Sequence, residues 1–325
     1  MEYSKLGNTG LEVSKICLGG MSFGDPSKWI HSWVLDQAET KTILRKALDV
    51  GINFFDTANV YSLGTSEEYM GKVLKQSARR DEIVLATKVH GQMFEGPNGG
   101  GLSRKHIISQ VDQSLQRLGM DYIDLLYIHR WDDQTPIEET MSALNDLVRQ
   151  GKVLYLGASS MHAWQFQKAQ YVADKHGWTP FSVMQNHYNL LYREEEREMI
   201  PLCQDMGVGL VPYSPLAAGR LVRDWNAQTE RSQSDKVAQM KYDRTQTEDQ
   251  KIAERVADLA EKKGCSRAQI ALAWLWKKGV VAPIVGVTKA HYLDDYLGAF
   301  DVSLSDEEMS YLEELYLPHP IVGHS

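Results

Sequence analysis

Cysteine is scarce in this chain of 325 residues. There are three, Cys17, Cys203 and Cys265, odd in number and widely spaced. That pattern excludes a disulfide framework and predicts reduced, buried thiols in a cytoplasmic protein. The ten histidines include no His-x-x-x-His pair, and no Cys-x-x-Cys occurs, so no metal centre is expected. No apolar run reaches membrane-spanning length, and Met1-Glu2-Tyr3-Ser4-Lys5 opens no apolar secretory core. Positive charge is in deficit, with a formal net charge of −8, which argues against nucleic acid or another polyanion as partner. Low-complexity tracts, long repeats and the G-x-G-x-x-G fingerprint are also missing. Dinucleotide binding of the Rossmann type is therefore not expected.

What is present is an unbroken alternation of strand-like and helix-like stretches. Residues 2 to 14 predict a hairpin, with Tyr3 and Leu6 before Asn8-Thr9-Gly10 and Leu11 and Val13 after it. Short apolar runs then predict eight strands: 16–19, 53–56, 83–88, 123–129, 153–159, 182–186, 208–213 and 282–285. Amphipathic stretches lie between them. The helix over 36–50 stops at Gly51, and the helix capped by Ser103 stops at Gly119. Further helices are expected from Ser66 to Ser77, from a capping box at Thr135-Pro136-Ile137-Glu138, over 161–176 and over 194–206. Near the C-terminus, Thr247, Ser266 with Gln269, and Ser305 with Glu308 are expected caps. Residues 217–247 are polar and predict a long irregular loop of the functional kind.

Eight such units predict a closed (β/α)8 barrel, with residues 1–325 as one domain. An open doubly wound sheet is the rival, although no composition shift marks the two halves it needs. In either case the carboxyl ends of the strands are where chemistry belongs. Asp56 closes the second strand with Tyr61 just beyond, Lys88 closes the third, and His129 closes the fourth. An unperturbed phenol, pKa ~10, is a slow acid at neutral pH, and a neighbouring cation lowers that value. Lys88 is placed to be that cation, Asp56 to orient it, and His129 to hydrogen-bond a substrate oxygen. The set suits protonation of an oxygen that gains negative charge. Taken singly, such a tyrosine more often anchors a loop, and such an ion pair is more often structural.

The longer motifs resemble the aldo/keto reductase family from Tyr3 to about Asp301. They are Leu18-Gly19-Gly20-Met21-Ser22-Phe23-Gly24, Gly51-Ile52-Asn53-Phe54-Phe55-Asp56-Thr57-Ala58 with Tyr61, Thr87-Lys88, Arg117 to Asp124, Ile128-His129, Gly157-Ala158-Ser159, Gln185-Asn186, Tyr213-Ser214-Pro215-Leu216 and Pro283-Ile284-Val285-Gly286. His129-Arg130-Trp131-Asp132 and the 217–247 segment resemble the aryl-alcohol dehydrogenase-like and versiconal-reductase-like branch. The resemblance implies a barrel and an NADPH-dependent carbonyl reductase with the tetrad Asp56, Tyr61, Lys88 and His129, Tyr61 being the acid. It implies that Gly20, Met21 and Ser22 line the pyrophosphate and nicotinamide side. Ser159, Ser160 and Gln185 would hold the carboxamide, and Tyr213 would stack on the nicotinamide. Ser214, Pro215, Leu216, Gly219 and Arg220 would follow the pyrophosphate. Ile284, Gly286, Thr288, Lys289, Tyr292 and Asp295 complete the implied cofactor set, with Thr288 and Lys289 at the 2′-phosphate and 217–247 as a strap over the cofactor. Ser160 stands where Asn is common, and Tyr292 and Tyr296 where Gln and Asn often meet the adenine.

Trp29, Trp33, Arg130 and Trp131 are the expected substrate pocket, an aromatic mouth suited to aldehydes or ketones. A nicotinamide-sensing regulatory subunit with little turnover is the binding-class alternative. A barrel lyase using Lys88 as a Schiff base is a third reading.

Overall fold

The computed structural model describes residues 1–227, 229 and 234–324. A two-stranded antiparallel hairpin, β1 (Tyr3–Lys5) and β2 (Glu12–Ser14), comes first. Eight parallel strands follow: β3 (Cys17–Gly19), β4 (Phe54–Asp56), β5 (Val84–Val89), β6 (Ile123–Ile128), β7 (Val153–Ser159), β8 (Phe181–Gln185), β9 (Gly209–Leu210) and β10 (Ile284–Gly286). Their spatial order is β10-β3-β4-β5-β6-β7-β8-β9. The two ends of this sheet meet. Val281 N donates to Leu210 O and Ile284 N to Pro212 O, each at 2.9 Å, and Tyr213 bridges Ile284 in parallel. The sheet is thereby closed as a (β/α)8 barrel, which removes the open doubly wound alternative.

The described helices are α1 (Gln37–Asp49), α2 (Thr65–Ser77), α3 (Arg104–Leu118), α4 (Ile137–Arg149), α5 (Ala163–His176), α6 (Met199–Asp205), α7 (Lys236–Tyr242), α8 (Gln246–Lys263), α9 (Arg267–Lys277), α10 (His291–Leu297) and α11 (Asp306–Glu313). None is long and apolar enough to cross a membrane. Capping sets several of their starts, and capping boxes close at Asp36/Glu39, Ser266/Gln269 and Ser305/Glu308.

Two apolar layers form. The larger lies between strands and helices. The smaller fills the barrel with Cys17, Phe54, Val84, Ala86, Leu125, Tyr127, Val183, Val211, Ala282 and Ile284. Leu6 and Val13 of the hairpin join that inner layer, and Asn8 N bonds Gly207 O at 2.7 Å ahead of β9, so the hairpin plugs the end of the barrel where strands begin. The opposite end is left for chemistry. Gly157 on β7 is required by this filling, because a β-carbon there would stand 2.5 Å from the Tyr127 ring.

Four local expectations fail. Thr135 does not cap α4. Pro136 occupies the cap position without a side-chain bond, because the Asp132 carboxylate takes the Thr135 hydroxyl at 2.7 Å. Thr247 lies within the first turn of α8 rather than ahead of it. Residues 217–247 are not simply irregular: they include a 3-10 turn at Ala217–Gly219 and the helix α7, started by Asp235, whose carboxylate accepts from Ala238 N at 2.9 Å. Residues 228 and 230–233 of that segment lie outside the described residues. Cys265 is only half-buried, whereas Cys17 and Cys203 are buried as expected.

Candidate active site

Strand register brings the four predicted catalytic residues to one rim. Asp56 ends β4 and pairs with Ala86 of β5, and Lys88 follows two residues later on the same face of β5. His129 sits one residue beyond β6, its N–H bonded to Val89 O at 2.9 Å. Tyr61 is not on a strand. It opens a tight turn, Tyr61–Gly64, in which Ser62 and Leu63 both take φ of 48°. That left-handed backbone is costly for non-glycine residues and is held here by buried neighbours.

Lys88 is fully buried and spends its three donors inside the group. Its Nζ lies 2.5 Å from Asp56 Oδ1, 2.8 Å from Thr57 O and 3.3 Å from the Tyr61 hydroxyl. The second Asp56 oxygen accepts from Gln185 Nε2 at 2.9 Å. The His129 ring meets Tyr61 edge-on, with centroids 5.8 Å apart. Asp56 and Lys88 are buried, while Tyr61 and His129 are half-buried.

Burial disfavours the Lys88 cation, but Asp56 and Tyr61 outweigh it and hold the ammonium above its ordinary pKa. Burial keeps the Tyr61 phenol above its ordinary value, only partly opposed by Lys88. Lys88 acts in the expected direction, lowering the phenol's pKa, but desolvation of a phenolate in this pocket is the larger effect. Burial, then Arg130 and Lys88, hold His129 well below its usual range, so the imidazole is neutral near pH 7 and available as an N–H donor.

The residues implied for a dinucleotide form the other side of the rim. Gly20, Met21 and Ser22 make a 3-10 turn directly after β3. A β-carbon on Gly20 would stand 3.0 Å from Asp56 O and closer still to Met70 Sδ, so only glycine passes here. Ser159 ends β7, and Ser160 Oγ donates to the Tyr213 hydroxyl at 3.3 Å. Gln185 ends β8 and donates one of its two amide N–H groups to Asp56 Oδ2 at 2.9 Å. Tyr213 stacks on His187, with centroids 5.3 Å apart and an 8° angle. Ser214, Pro215, Leu216 and Gly219 follow in a loop tied down by Arg223, which donates to Gly219 O at 3.2 Å and Ala218 O at 3.1 Å. Arg220 is ion-paired with Asp243 at 2.6 Å. Beyond Ile284 of β10, Gly286 is exposed with open space beside its α-carbon, Thr288 is half-buried and Lys289 is exposed. Tyr292 is half-buried on α10, and Asp295 accepts from Gln269 at 3.0 Å.

Of the expected pocket residues, Trp29 is brought against Tyr61, ring centroids 5.9 Å apart. Trp33 packs on His31, ring centroids 4.8 Å apart and tilted by 34°, two rings further from Tyr61 than Trp29. Trp131 leans outward onto Trp164 of α5 at 6.2 Å. Arg130 folds back so that Nη1 donates to His129 O at 2.6 Å.

Three participants were not expected from the sequence. His187 lies between Tyr192 and Tyr213, and its Nε2 meets the Tyr242 hydroxyl at 2.7 Å. Its position two residues after Gln185 was a strand-period signal for the same face. Lys241 of α7 reaches the Tyr213 hydroxyl at 3.3 Å and stands 4.4 Å from its ring centroid. Gly323, near the C-terminus, is so close that a β-carbon would lie 2.8 Å from the Tyr213 oxygen. No motif marked either of the last two.

The aldo/keto reductase family model matches residues 15–317. A versiconal hemiacetal acetate reductase of Aspergillus parasiticus is 45% identical, covering 99% of this chain and 98% of its own length. An aldo-keto reductase of Alternaria alternata is 46% identical over 99% of this chain and 94% of its own. A Saccharomyces cerevisiae protein provisionally named an aryl-alcohol dehydrogenase is 42% identical over 97% of this chain and 96% of its own.

Proposed function

The chain belongs to the aldo/keto reductase family, and we propose that it reduces aldehydes or ketones to alcohols with NADPH, residues 1–325 acting as one catalytic domain with Tyr61 as general acid. The observation that carries this reading is the contact chain from Asp56 through Lys88 to the Tyr61 hydroxyl, 2.5 Å and 3.3 Å long. A carbonyl that receives hydride develops an alkoxide, and the proton must come from a group at the mouth. Tyr61 holds its proton up to high pH, so the acid form is fully populated. The buried Lys88 cation then stabilises the phenolate left behind, and Asp56 fixes that cation in place. Neutral His129 supplies a second donor to the same substrate oxygen without competing as an acid.

The residues present fit a nicotinamide dinucleotide. The Ser159 and Ser160 hydroxyls and the Gln185 side-chain amide suit an amide, Tyr213 offers a flat ring, and exposed Lys289 has no carboxylate within ion-pair distance among the described residues. A reduced nicotinamide, when bound, supplies the hydride. Lys88 suits a Schiff base poorly, because that chemistry needs a neutral, accessible amine and this one is buried and ion-paired.

The test is NADPH consumption by the purified protein over a panel of aromatic and aliphatic aldehydes, with Tyr61→Phe alongside. We expect turnover in the parent and a loss of about 10²–10⁴-fold in the variant, with NADPH affinity nearly kept. A fully active variant removes Tyr61 from the acid's role. Tight NADPH binding without turnover of any carbonyl favours a nicotinamide-sensing module instead.

A further inference from the structure

A second polar network backs the catalytic rim on the outer face of the sheet. It uses no side chain of the tetrad, yet it grips the chain neighbours of two members. Thr57 follows Asp56 and Thr87 precedes Lys88, so strand period turns both hydroxyls outward while the catalytic groups turn in. Both hydroxyls meet the first turn of α2. Thr57 Oγ1 lies 2.8 Å from Ser66 Oγ, which itself donates to Gly20 O at 2.7 Å. Thr87 Oγ1 donates to Glu67 Oε1 at 2.6 Å. The other Glu67 oxygen accepts from Arg117 Nε of α3, also at 2.6 Å, and Arg117 Nη2 donates to Ser114 Oγ at 3.1 Å. Glu67 is fully buried. An ionised carboxylate out of water is costly, and a buried ion pair brings little stability over apolar packing. What the pair does supply is fixed geometry.

The geometry it fixes is the approach of Tyr61. The turn Tyr61–Gly64 runs straight into Thr65 of α2, whose hydroxyl donates to Ser62 O at 3.0 Å. Gly64 lies so close against Arg117 that a β-carbon there would stand 2.5 Å from Arg117 Cδ. Arg117 therefore backs the end of the turn, Glu67 orients Arg117, and Thr87 ties Glu67 to β5 one residue before Lys88. The contact being set is the one of 3.3 Å between Lys88 Nζ and the Tyr61 hydroxyl. It is the longest of the three that Lys88 makes, and so the least able to hold itself. The left-handed backbone at Ser62 and Leu63 persists only while its surroundings impose it. We propose that Glu67 is a positioning residue: through Arg117 on one oxygen and Thr87 on the other, it holds Tyr61 at working distance from Lys88. This deepens the reductase reading and rests on it for the use made of Tyr61, but not for the geometry.

The test uses Thr87→Val, which keeps the shape and loses the hydroxyl, beside Glu67→Gln and the conservative Thr87→Ser. With saturating NADPH, Thr87→Val and Glu67→Gln are expected to lose about tenfold or more in kcat, with KM for NADPH and for the aldehyde barely changed. Thr87→Ser should keep most of the parental kcat. In a Tyr61→Phe background, Thr87→Val should cost nothing further, because no phenol is left to position. Parental kcat in folded Thr87→Val or folded Glu67→Gln overturns the proposal. An equal loss with and without the Tyr61 hydroxyl overturns it too, since that marks a merely structural role. Where Glu67→Gln does not fold, Thr87→Val decides. A readout independent of turnover is carbon-13 NMR of protein with labelled tyrosine, the Tyr61 Cζ signal being the one that Tyr61→Phe removes. Thr87→Val should shift that signal and Thr87→Ser should restore it; a signal that Thr87→Val leaves in place overturns the proposal. Should no carbonyl be reduced at all, the reductase reading fails separately, and the Tyr61 signal alone decides the positioning.

Discussion

The two halves of the rim are built differently. On the β4–β6 side, chemistry is set into the sheet itself. Asp56 and Lys88 are strand residues, Asp56 is paired with Ala86 and Lys88 with Tyr127, both are buried, and each is the other's main partner. On the β7–β10 side, β9 is only two residues long, and the groups beyond it hang on loops. Ser214, Ala217 and Ala218 there take φ of 56°, 49° and 54°, and Lys241 arrives from a helix outside the sheet. Proton transfer demands fixed geometry to a fraction of an ångström, and parallel strand register supplies it. On the proposed function a dinucleotide and a substrate must enter and leave, and loops supply that freedom. On that same function, the sheet carries the reaction and the loops carry the choice of ligand.

The sharpest way to break this picture is Lys88→Met. It should lower turnover by about 10²–10⁴-fold, as Tyr61→Phe should, because both remove the acid's working state. Stability separates them. Without Lys88, Asp56 is left as an uncompensated buried charge, which costs about 3–5 kcal/mol. Tyr61→Phe loses only one long hydroxyl contact and should cost about 1 kcal/mol or less. Urea denaturation of both variants beside their kinetics checks this. If Lys88→Met keeps parental stability, the pair is not the internal brace that the sheet-borne half requires.

The same division decides what could be read from the sequence. The catalytic half was legible because each residue closes an apolar run, and strand period plus barrel closure then forces Asp56, Lys88 and His129 together. Tyr61 was legible as a phenol just beyond the second strand, but its exact placement was not, since it depends on two left-handed residues, Ser62 and Leu63, that no periodicity announces. Across the rim, Ser159 and Gln185 were found at strand ends, but the use of the Gln185 amide by Asp56 was not, because it joins residues 129 positions apart. Lys241 carried no signal: α7 lies in a polar stretch that read as irregular. The tail holding Gly323 falls beyond the matched motifs. Thr135 failed as a cap because its hydroxyl is claimed by Asp132, a competition between two polar groups that sequence spacing does not rank.

A smaller effect belongs to the loop-borne half. Lys289→Ala removes an exposed cation and should leave catalysis itself untouched. If that lysine meets the 2′-phosphate, the variant should lose about tenfold or more in affinity for NADPH and little for NADH, one charge-assisted bond being the difference. Titration of both cofactors by protein fluorescence measures it. Equal losses for the two would place the phosphate on another cation and weaken the assignment of this loop.

The smallest expected effect lies in the tail that closes the loop-borne half. His319 Nε2 meets buried Asp249 Oδ1 of α8 at 2.8 Å, and further on Val322 N bonds the Tyr192 hydroxyl at 3.2 Å, so this run carries Gly323 to Tyr213. Burial lowers the pKa of His319, but Asp249 outweighs it and the imidazolium is held above its ordinary value. A raised folded pKa means the pair contributes fully below the unfolded value, about 6.5, and loses that contribution as pH climbs through the folded one. His319→Gln keeps a hydrogen bond and removes the charge. Its cost should be about 1 kcal/mol near pH 6 and should shrink toward zero at alkaline pH. Denaturation midpoints of parent and variant across that range test the sign. A penalty that stays constant with pH would make His319 a neutral hydrogen-bonding anchor. A penalty that fades on the alkaline side makes it a charged one, and ties the wall beside Tyr213 to a proton that the catalytic tetrad does not share.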